Sequence, residues 1–423
     1  MEWVSLYRGR TFERAFGPTF LSNITFIVPR ILPAVACNLD TNILTACLPL
    51  LEESRVEAIE WSFDALFKVK NVPDWFLELL SAFSKEGRLI GHGVFFSLFS
   101  GKWLPEQDAW LQQLQQTTAA FRFDHITEHF GFMTGKDFHH GAPLNIPYTP
   151  STLAIGQDRL RRIQDACCCP VGLENLAFSY CLEEVKQHGE FLDALLTPVN
   201  GFIILDLHNL YCQLQNFDIP FYELIALYPL EKVREIHISG GSWEASRVLP
   251  GRKVRRDTHD AVVPSEVFRL LDIVIDHCPN LKYVVLEQLG SGLATDDRQA
   301  AFYHDFLRLE AMVNERNNGR FSDPVDISFL PPLGDISYPP VEDETLYHQQ
   351  LELSAILETA GSYGEARQRL DRSSLANSFW QIENWEPYMI ETAISIARKW
   401  AMQSPSPSPK PANSPYPFSP PHL

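Results

Sequence analysis

Along the middle of the chain, side chains able to bind a divalent metal recur at the ends of short apolar runs. His92 lies in "RLIGHGVFF", Glu128 and His129 in "FDHITEHF", Glu174 and Asn175 in "PVGLENLAF", and Asp206, His208 and Asn209 in "GFIILDLHNLY". Glu60 and Asp64 belong to "VEAIEWSFDAL", His237 to "VREIHISGG" and Glu287 to "LKYVVLEQL", while Asp257 and His259 lie in the loop after His237. A core strand gains nothing from an imidazole at its tip. One such residue alone is an ordinary hydrogen-bonded side chain; recurrence at the same end of most runs is what points to metal. Carboxylates gathered at one place repel each other and take up protons unless cations neutralise them. Mixed imidazole and carboxylate donors suit non-heme iron, manganese or zinc better than a soft-thiolate site. On this reading Glu174 and Asp206 bridge two ions, with His92, His237 and His259 as terminal ligands.

The elements that must position these residues are legible too. Eight short runs, at 32–40, 56–63, 88–96, 123–130, 170–178, 201–211, 233–241 and 281–289, are rich in β-branched or aromatic residues and bounded by loop signals. Between them lie segments with apolar residues at three- and four-residue steps, among them "PDWFLELLSAFSKEG", "LPEQDAWLQQLQQTTAAF", "STLAIGQDRLRRIQDA" and "VPSEVFRLLDIVIDHCPN". Strands alternating with helices in this number predict an α/β fold, a (β/α)8 TIM barrel, with chemistry at the C-terminal strand ends. A doubly wound open sheet is the alternative, but no G-x-G-x-x-G follows the first run. The barrel domain is expected over 1–318, with an N-terminal extension at 1–31. A Pro/Gly/Asp-rich linker follows at 319–345, then a C-terminal helical extension at 346–402 and a disordered Pro/Ser tail at 403–423.

The formal net charge of −18 argues against nucleic acid or an acidic membrane as partner. No run of about 18 apolar residues offers a membrane span. The start "MEWVSLYRGRTFERAF" has no apolar core of a secretory signal, so a cytoplasmic location is expected. The eight cysteines show no zinc-finger pairs and no disulfide framework, and "CCCP" reads as buried small residues. His125 is expected on the face opposite the T-E-H triplet, in a structural role. The pair His139 and His140 reads as a solvated loop, and "NSFWQIENWEPY" suits either an interface or core packing. No nucleophile elbow, P-loop or H-E-x-x-H is present.

The series "GHGVFFSL", "TEHFGF", "GLENLAFSY", "LDLHNLY", "EIHISGG", "DTHDAVVPSEVFRLL" and "VVLEQ" appears in one order over residues 33–312. It resembles the multinuclear non-heme iron-dependent oxidases. The resemblance implies a TIM barrel with two or three irons (Fe2+/Fe3+) that uses O2 to oxidise a residue, often cysteine, in a ribosomally made precursor peptide. It also implies a partner protein that delivers the peptide by its leader. Carried over residue by residue, the metal-site positions are His92, Glu128 and His129 (with Thr127 in place of serine), Glu174 and Asn175, Asp206, His208 and Asn209, His237, Asp257 and His259. Two positions depart from the pattern. Gly241 stands where the family carries a second histidine after E-I-H, and "SFDAL" places Ser62 and Asp64 where the family has histidine and glutamate, so Asp64 is the shorter candidate ligand. Two other readings stay open: a metal-dependent barrel enzyme of the sugar isomerase or phosphodiesterase type using Mn2+ or Zn2+, and a non-catalytic peptide-binding barrel.

Overall fold

Each of the eight apolar runs contains one strand of a closed parallel barrel. The computed structural model describes residues 30–133, 141, 143–318, 328–332, 336 and 338–403; residues 1–29 of the expected N-terminal extension, 319–327, 333–335 and 337 of the expected linker, 404–423 of the Pro/Ser tail, and His139 and His140 lie outside them. In chain order the strands are β1 (Leu32–Ala36), β2 (Ala58–Trp61), β3 (Leu89–His92), β4 (Ile126–His129), β5 (Phe132–Met133) and β6 (Pro143–Leu144). They continue with β7 (Val171–Glu174), β8 (Phe202–Asp206), β9 (Val233–Ile238), β10 (Trp243–Ala245), β11 (Lys253–Arg255) and β12 (Tyr283–Leu286). The barrel order is β1-β12-β9-β8-β7-β4-β3-β2, and closure comes from β1 pairing in parallel with both β2 and β12. The fold is a TIM barrel. Two small antiparallel pairs, β5–β6 and β10–β11, follow β4 and β9 at the C-terminal mouth.

Strand alternation explains how the barrel puts chemistry at one end. Leu32, Ala34, Ala36, Ala58, Ile90, Tyr283 and Val285 form one inner cluster, and Phe202 and Ile204 pack with Phe329 in another. Counting two residues on from Ala58, Ile90, Gly172, Ile204, Glu235 and Val285 reaches Glu60, His92, Glu174, Asp206, His237 and Glu287. Side chains two apart on a strand share a face, so this layer, apolar apart from Glu235, is followed by a fully polar one at the mouth. The opposite faces of these strands, with Val35, Ile59, Leu173, Leu205, Ile236 and Val284, join the much larger core between barrel and helices.

The helices fall where the periodicity put them: Asp74–Lys85, Pro105–Ala120, Pro150–Cys167 and Ser265–Val274 lie within the four quoted segments to within a residue at either end. One boundary differs. The sixth run is not a strand throughout, because Asp206 caps a helix over Leu207–Phe217, its Oδ1 accepting from Asn209 N at 2.6 Å. His208 and Asn209 therefore sit in a first helical turn. The three adjacent cysteines are not uniformly buried either. Cys168 ends its helix in the left-handed conformation (φ 53°) and is exposed, whereas Cys167 is buried. All eight cysteines are free thiols.

Helices Glu344–Thr359 and Pro387–Gln403 pack on segments that follow the C-terminal ends of the strands, and Tyr363–Leu370 packs on those two helices. Gln350 Nε2 donates to Phe99 O and Gly101 N donates to Gln350 Oε1, at 2.7 and 2.9 Å. Trp385 stacks on Tyr180 with ring centroids 3.7 Å apart, and Tyr388 Oη donates to Asn216 O at 2.7 Å. Trp380 and Trp385 are buried and Phe379 is exposed, so core packing accounts for most of the aromatic stretch 377–388. No helix among the described residues is long and apolar enough to cross a membrane.

Candidate metal centre

Three overlapping groups of donor atoms lie across the mouth: His92, His129 and Glu174; Glu174, Asp206 and His237; Asp206, His259 and Glu287. Within each, the ligand atoms are within 4.8 Å of one another. Glu174 is common to the first two groups and Asp206 to the last two, which makes a row rather than a single nest.

The imidazoles are oriented by their other nitrogens. His92 Nδ1 meets Thr127 Oγ1 at 2.8 Å, leaving Nε2 3.4 Å from Glu174 Oε2. His129 Nδ1 donates to Gly93 O at 3.1 Å, leaving Nε2 3.3 Å from the same carboxylate oxygen. His237 uses Nε2 for Glu60 and Glu235, so Nδ1 faces Glu287 Oε2 at 3.3 Å. A second hydrogen bond that fixes tautomer and ring plane is the usual support of a metal-binding histidine. His259 stands in the left-handed region (φ 49°), its Nε2 2.7 Å from Asp257 Oδ1 and its Nδ1 3.3 Å from Glu287 Oε1.

The donor set fits a metal on the chemistry of its unused atoms. Asp206 Oδ2, His237 Nδ1, His259 Nε2 and Glu287 Oε2 are buried with no hydrogen-bond partner among the described residues. His237 Nδ1 and Glu287 Oε2 are close, yet they are not aligned on each other as donor and acceptor. Two ligands about 2.1 Å from one ion lie roughly 3.0–3.4 Å apart, the spacing seen between these groups. Every ion pair that Glu60, Glu174, Glu235, Asp257 and Glu287 make among the described residues is with histidine, not lysine or arginine.

The electrostatics carry the same message. Burial works against charge on His92, but Glu60 and Glu174 outweigh it and push the imidazole up to about 9. His237 is likewise held well above its ordinary value, against burial, by Glu60, Glu235 and Glu287. Burial, and then the charges of Glu174 and Asp257, drive the Asp206 carboxyl well above its ordinary value. The mouth gathers more negative charge than its surroundings favour, which raises His92, His237 and Asp206 alike, and this is the imbalance that metal cations would relieve.

Not every expected ligand joins the row. Glu128 alternates with His129 and turns to the outer face, where a Cβ on Gly93 would lie 1.8 Å from its Oε1. Burial, and then Asp64, raise its carboxyl well above the ordinary range. Asn175 is committed to β8: its Oδ1 accepts from Asp206 N at 2.6 Å and its Nδ2 donates to Asp206 O at 3.1 Å. Asn209 Nδ2 donates to Glu174 Oε1 at 3.1 Å, so these two asparagines orient the two shared carboxylates. His208 has both nitrogens engaged, Nδ1 3.0 Å from Asp257 Oδ1 and Nε2 accepting from Arg255 Nε at 3.1 Å. Asp257, contacted by both His208 and His259, stands beside the row rather than in it. At Gly241 a Cβ would meet Arg256 O at 2.2 Å and His208 Cε1 at 2.8 Å, so this chain has filled the space of a side chain there.

Asp64 is spent on the loop after β3. Its carboxylate accepts from Val94 N, from Phe95 N at 2.9 Å and from Trp110 Nε1 at 3.2 Å. Asp64→Asn is expected to leave the bound metal unchanged and to lower stability by about 1–3 kcal/mol, because an amide NH2 would face three donors. Metal analysis together with denaturant unfolding checks both halves.

Sequence reasoning gave no role to Glu235 and placed His125 on the wrong face. The signal was parity: Glu235 is two residues before His237, and His125 is two before Thr127 and four before His129, so all point into the barrel.

Comparison with known proteins decides the relationship. Residues 52–289 match the model of the RiPP precursor modification enzyme MbnB/TglH/ChrH. The chain belongs to that family. Its members are enzymes that modify ribosomally made peptide precursors, and their model spans every residue of the row. Among curated relatives, a UPF0276 protein of Caulobacter vibrioides is 27% identical over 149 residues, 35% of this chain and 50% of that protein. The UPF0276 protein Nmul_A2550 of Nitrosospira multiformis is 28% identical over 192 residues, 45% of this chain and 64% of that protein. The chain thus spans about half to two thirds of the length of these relatives. Of solved structures, an L-ribulose 3-epimerase aligns at TM-score 0.43 and 13% identity, over 69% of this chain and 96% of that one.

Proposed function

We propose that this protein is a multinuclear iron-dependent oxidase that uses O2 to modify a cysteine in a ribosomally synthesised peptide. The observation that carries the reading is the row of donors in which Glu174 and Asp206 are each shared by two groups, an arrangement suited to two or three neighbouring ions. Bound there, iron would supply the redox and O2 chemistry and a charge that favours a substrate thiolate.

What the chain itself does follows from its residues. His92 and His129 present Nε2 to Glu174, and His237 presents Nδ1 to Glu287, each held by a hydrogen bond on the far side of the ring. Asn175 and Asn209 keep the shared carboxylates in register. Beneath the row the barrel interior is closed, by apolar side chains on one side and by buried, mutually paired polar groups on the other, which keeps bulk water out from below. Side-chain exposure is 25% at His129, 26% at Asp257 and 17% at Glu287, against 3% or less at His92, Glu174 and His237. A peptide therefore reaches the centre over His129, Asp257 and Glu287. The partners proposed are a cysteine-bearing precursor and a protein that binds its leader; eight free thiols agree with a reducing compartment such as the cytoplasm.

Protein purified without oxygen is expected to hold more than one iron per chain. With a cysteine-containing precursor and air it is expected to take up O2 and change the peptide's mass. Manganese or zinc as the only retained metal, with no O2 uptake, would overturn the proposal.

A further inference from the structure

Beneath the row of donors, a second set of polar groups runs through the barrel toward its N-terminal end. His237 Nε2 lies 2.9 Å from Glu60 Oε2 and 3.2 Å from Glu235 Oε1. The other oxygen of Glu235 meets His125 Nε2 at 2.7 Å. His125 Nδ1 in turn lies 2.9 Å from Asp124 Oδ2, which accepts from Arg234 Nη2 at 2.9 Å, and Lys282 Nζ reaches Asp124 Oδ1 at 2.5 Å. Glu60, His125, Glu235 and His237 are all at most 1% exposed. Burying this much charge costs several kcal/mol per ion unless each group is paired. Here each is paired, and the series ends on two cations at the strand starts.

The series has a direction. Both Glu235 oxygens are engaged, one on His237 and one on His125, whereas His237 Nδ1 has no hydrogen-bond partner among the described residues and faces the row. The ring of His125 is wedged against Phe202 and Tyr283, with centroids 4.7 and 5.6 Å away, so it cannot swing to release Glu235. Glu60, Glu235 and His237 also lie close enough together to hold an ion themselves. That arrangement would need a bare Nε2 and would break the Glu235 contact with His237, leaving the aligned Nδ1 unused.

We propose that Glu235 is a positioning residue: with Glu60 it holds His237 by Nε2 so that Nδ1 is presented to the metal, and it is itself anchored from the far end of the barrel through His125 and Asp124. This inference rests on reading the mouth as a metal centre. Glu235 touches neither substrate nor metal and acts through the ring it orients.

The test uses the full chain, Co2+ as probe, chelator competition for affinity and the visible Co2+ absorption for ligand geometry. Glu235→Gln is expected to bind as many Co2+ ions as wild type, about 10–100-fold more weakly, with a shifted spectrum. His125→Phe keeps a ring against Phe202 and Tyr283 but lets Glu235 go. It is expected to weaken Co2+ binding in the same direction, by about threefold to tenfold, and it serves alone should Glu235→Gln not fold. Affinity and spectrum unchanged in the variant that folds would overturn the proposal. So would the loss of one whole Co2+ equivalent from Glu235→Gln with the remainder bound as tightly as before, since that makes Glu235 a ligand. Wild-type protein that binds no Co2+, Zn2+ or iron would remove the metal centre itself and this inference with it, which separates the two failures.

Discussion

Asp206→Asn is expected to reduce bound metal to about one ion per chain and to lower peptide-dependent turnover by at least about 10²-fold. Asp206 belongs to two of the three donor groups of the row, so its loss leaves His92, His129 and Glu174 as the one intact group of the row. The substitution is conservative where it must be. Asparagine keeps an Oδ1 to cap the helix at Asn209 N and replaces only Oδ2, the atom with no hydrogen-bond partner among the described residues. His92→Ala removes a donor from one group and is expected to cost less metal. Stability should move the other way in metal-free protein. Asp206 is buried beside Glu174 and Asp257, whose charges oppose its own, so the uncharged variant is expected to match or exceed wild type by about 1–3 kcal/mol without metal. With metal present the order should reverse, since bound metal stabilises the state that holds it. Metal analysis and thermal unfolding with and without chelator read both. Equal metal content in the two proteins would refute the shared role of Asp206.

Removal of residues 338–403 is expected to abolish soluble, folded protein. These residues cover the loops after β3, β4, β7 and β9 and supply a continuous apolar lining that includes Leu353, Leu357, Trp380, Trp385 and Met389. Their polar contacts are specific as well: Arg159 Nη2 donates to Val341 O at 2.9 Å, and Glu386 N donates to Tyr180 O at 2.9 Å. The single change Trp385→Ala separates this packing from any other role. It removes the ring stacked on Tyr180 and the Nε1 donation to Trp380 O at 3.1 Å, and is expected to cost about 3–5 kcal/mol in denaturant unfolding. Metal content per folded chain should stay at the wild-type level, because none of these contacts reaches the row of donors. A truncated chain that folds and unfolds cooperatively would show the barrel to be self-sufficient.

The amino-acid sequence by itself determined the barrel. Eight apolar runs separated by amphipathic segments leave few other ways to bury their faces, and every observed barrel strand lies inside one of those runs. It also pointed to the C-terminal strand ends as the place for chemistry and to His92, Glu174, Asp206 and His237 as candidate ligands, side chains that the fold brings together at the mouth. Only the tertiary structure decided which atoms converge. Glu60 and His237 meet across 177 residues of chain, and no local pattern carries the register that brings their strands together. Glu128 was a candidate as the strand-end acid of the T-E-H triplet, yet it lies one residue from His129 and so on the opposite face of the strand. His208 and Asn175 carry suitable donors, but Arg255 and Asp257, and the backbone of Asp206, claimed them from other elements. Asp64 was lost to three donors gathered from the loop after β3 and from Trp110. A side chain's chemistry is written at its own position. Whether that chemistry is free to act depends on partners supplied from elsewhere, and a buried polar group takes the nearest one.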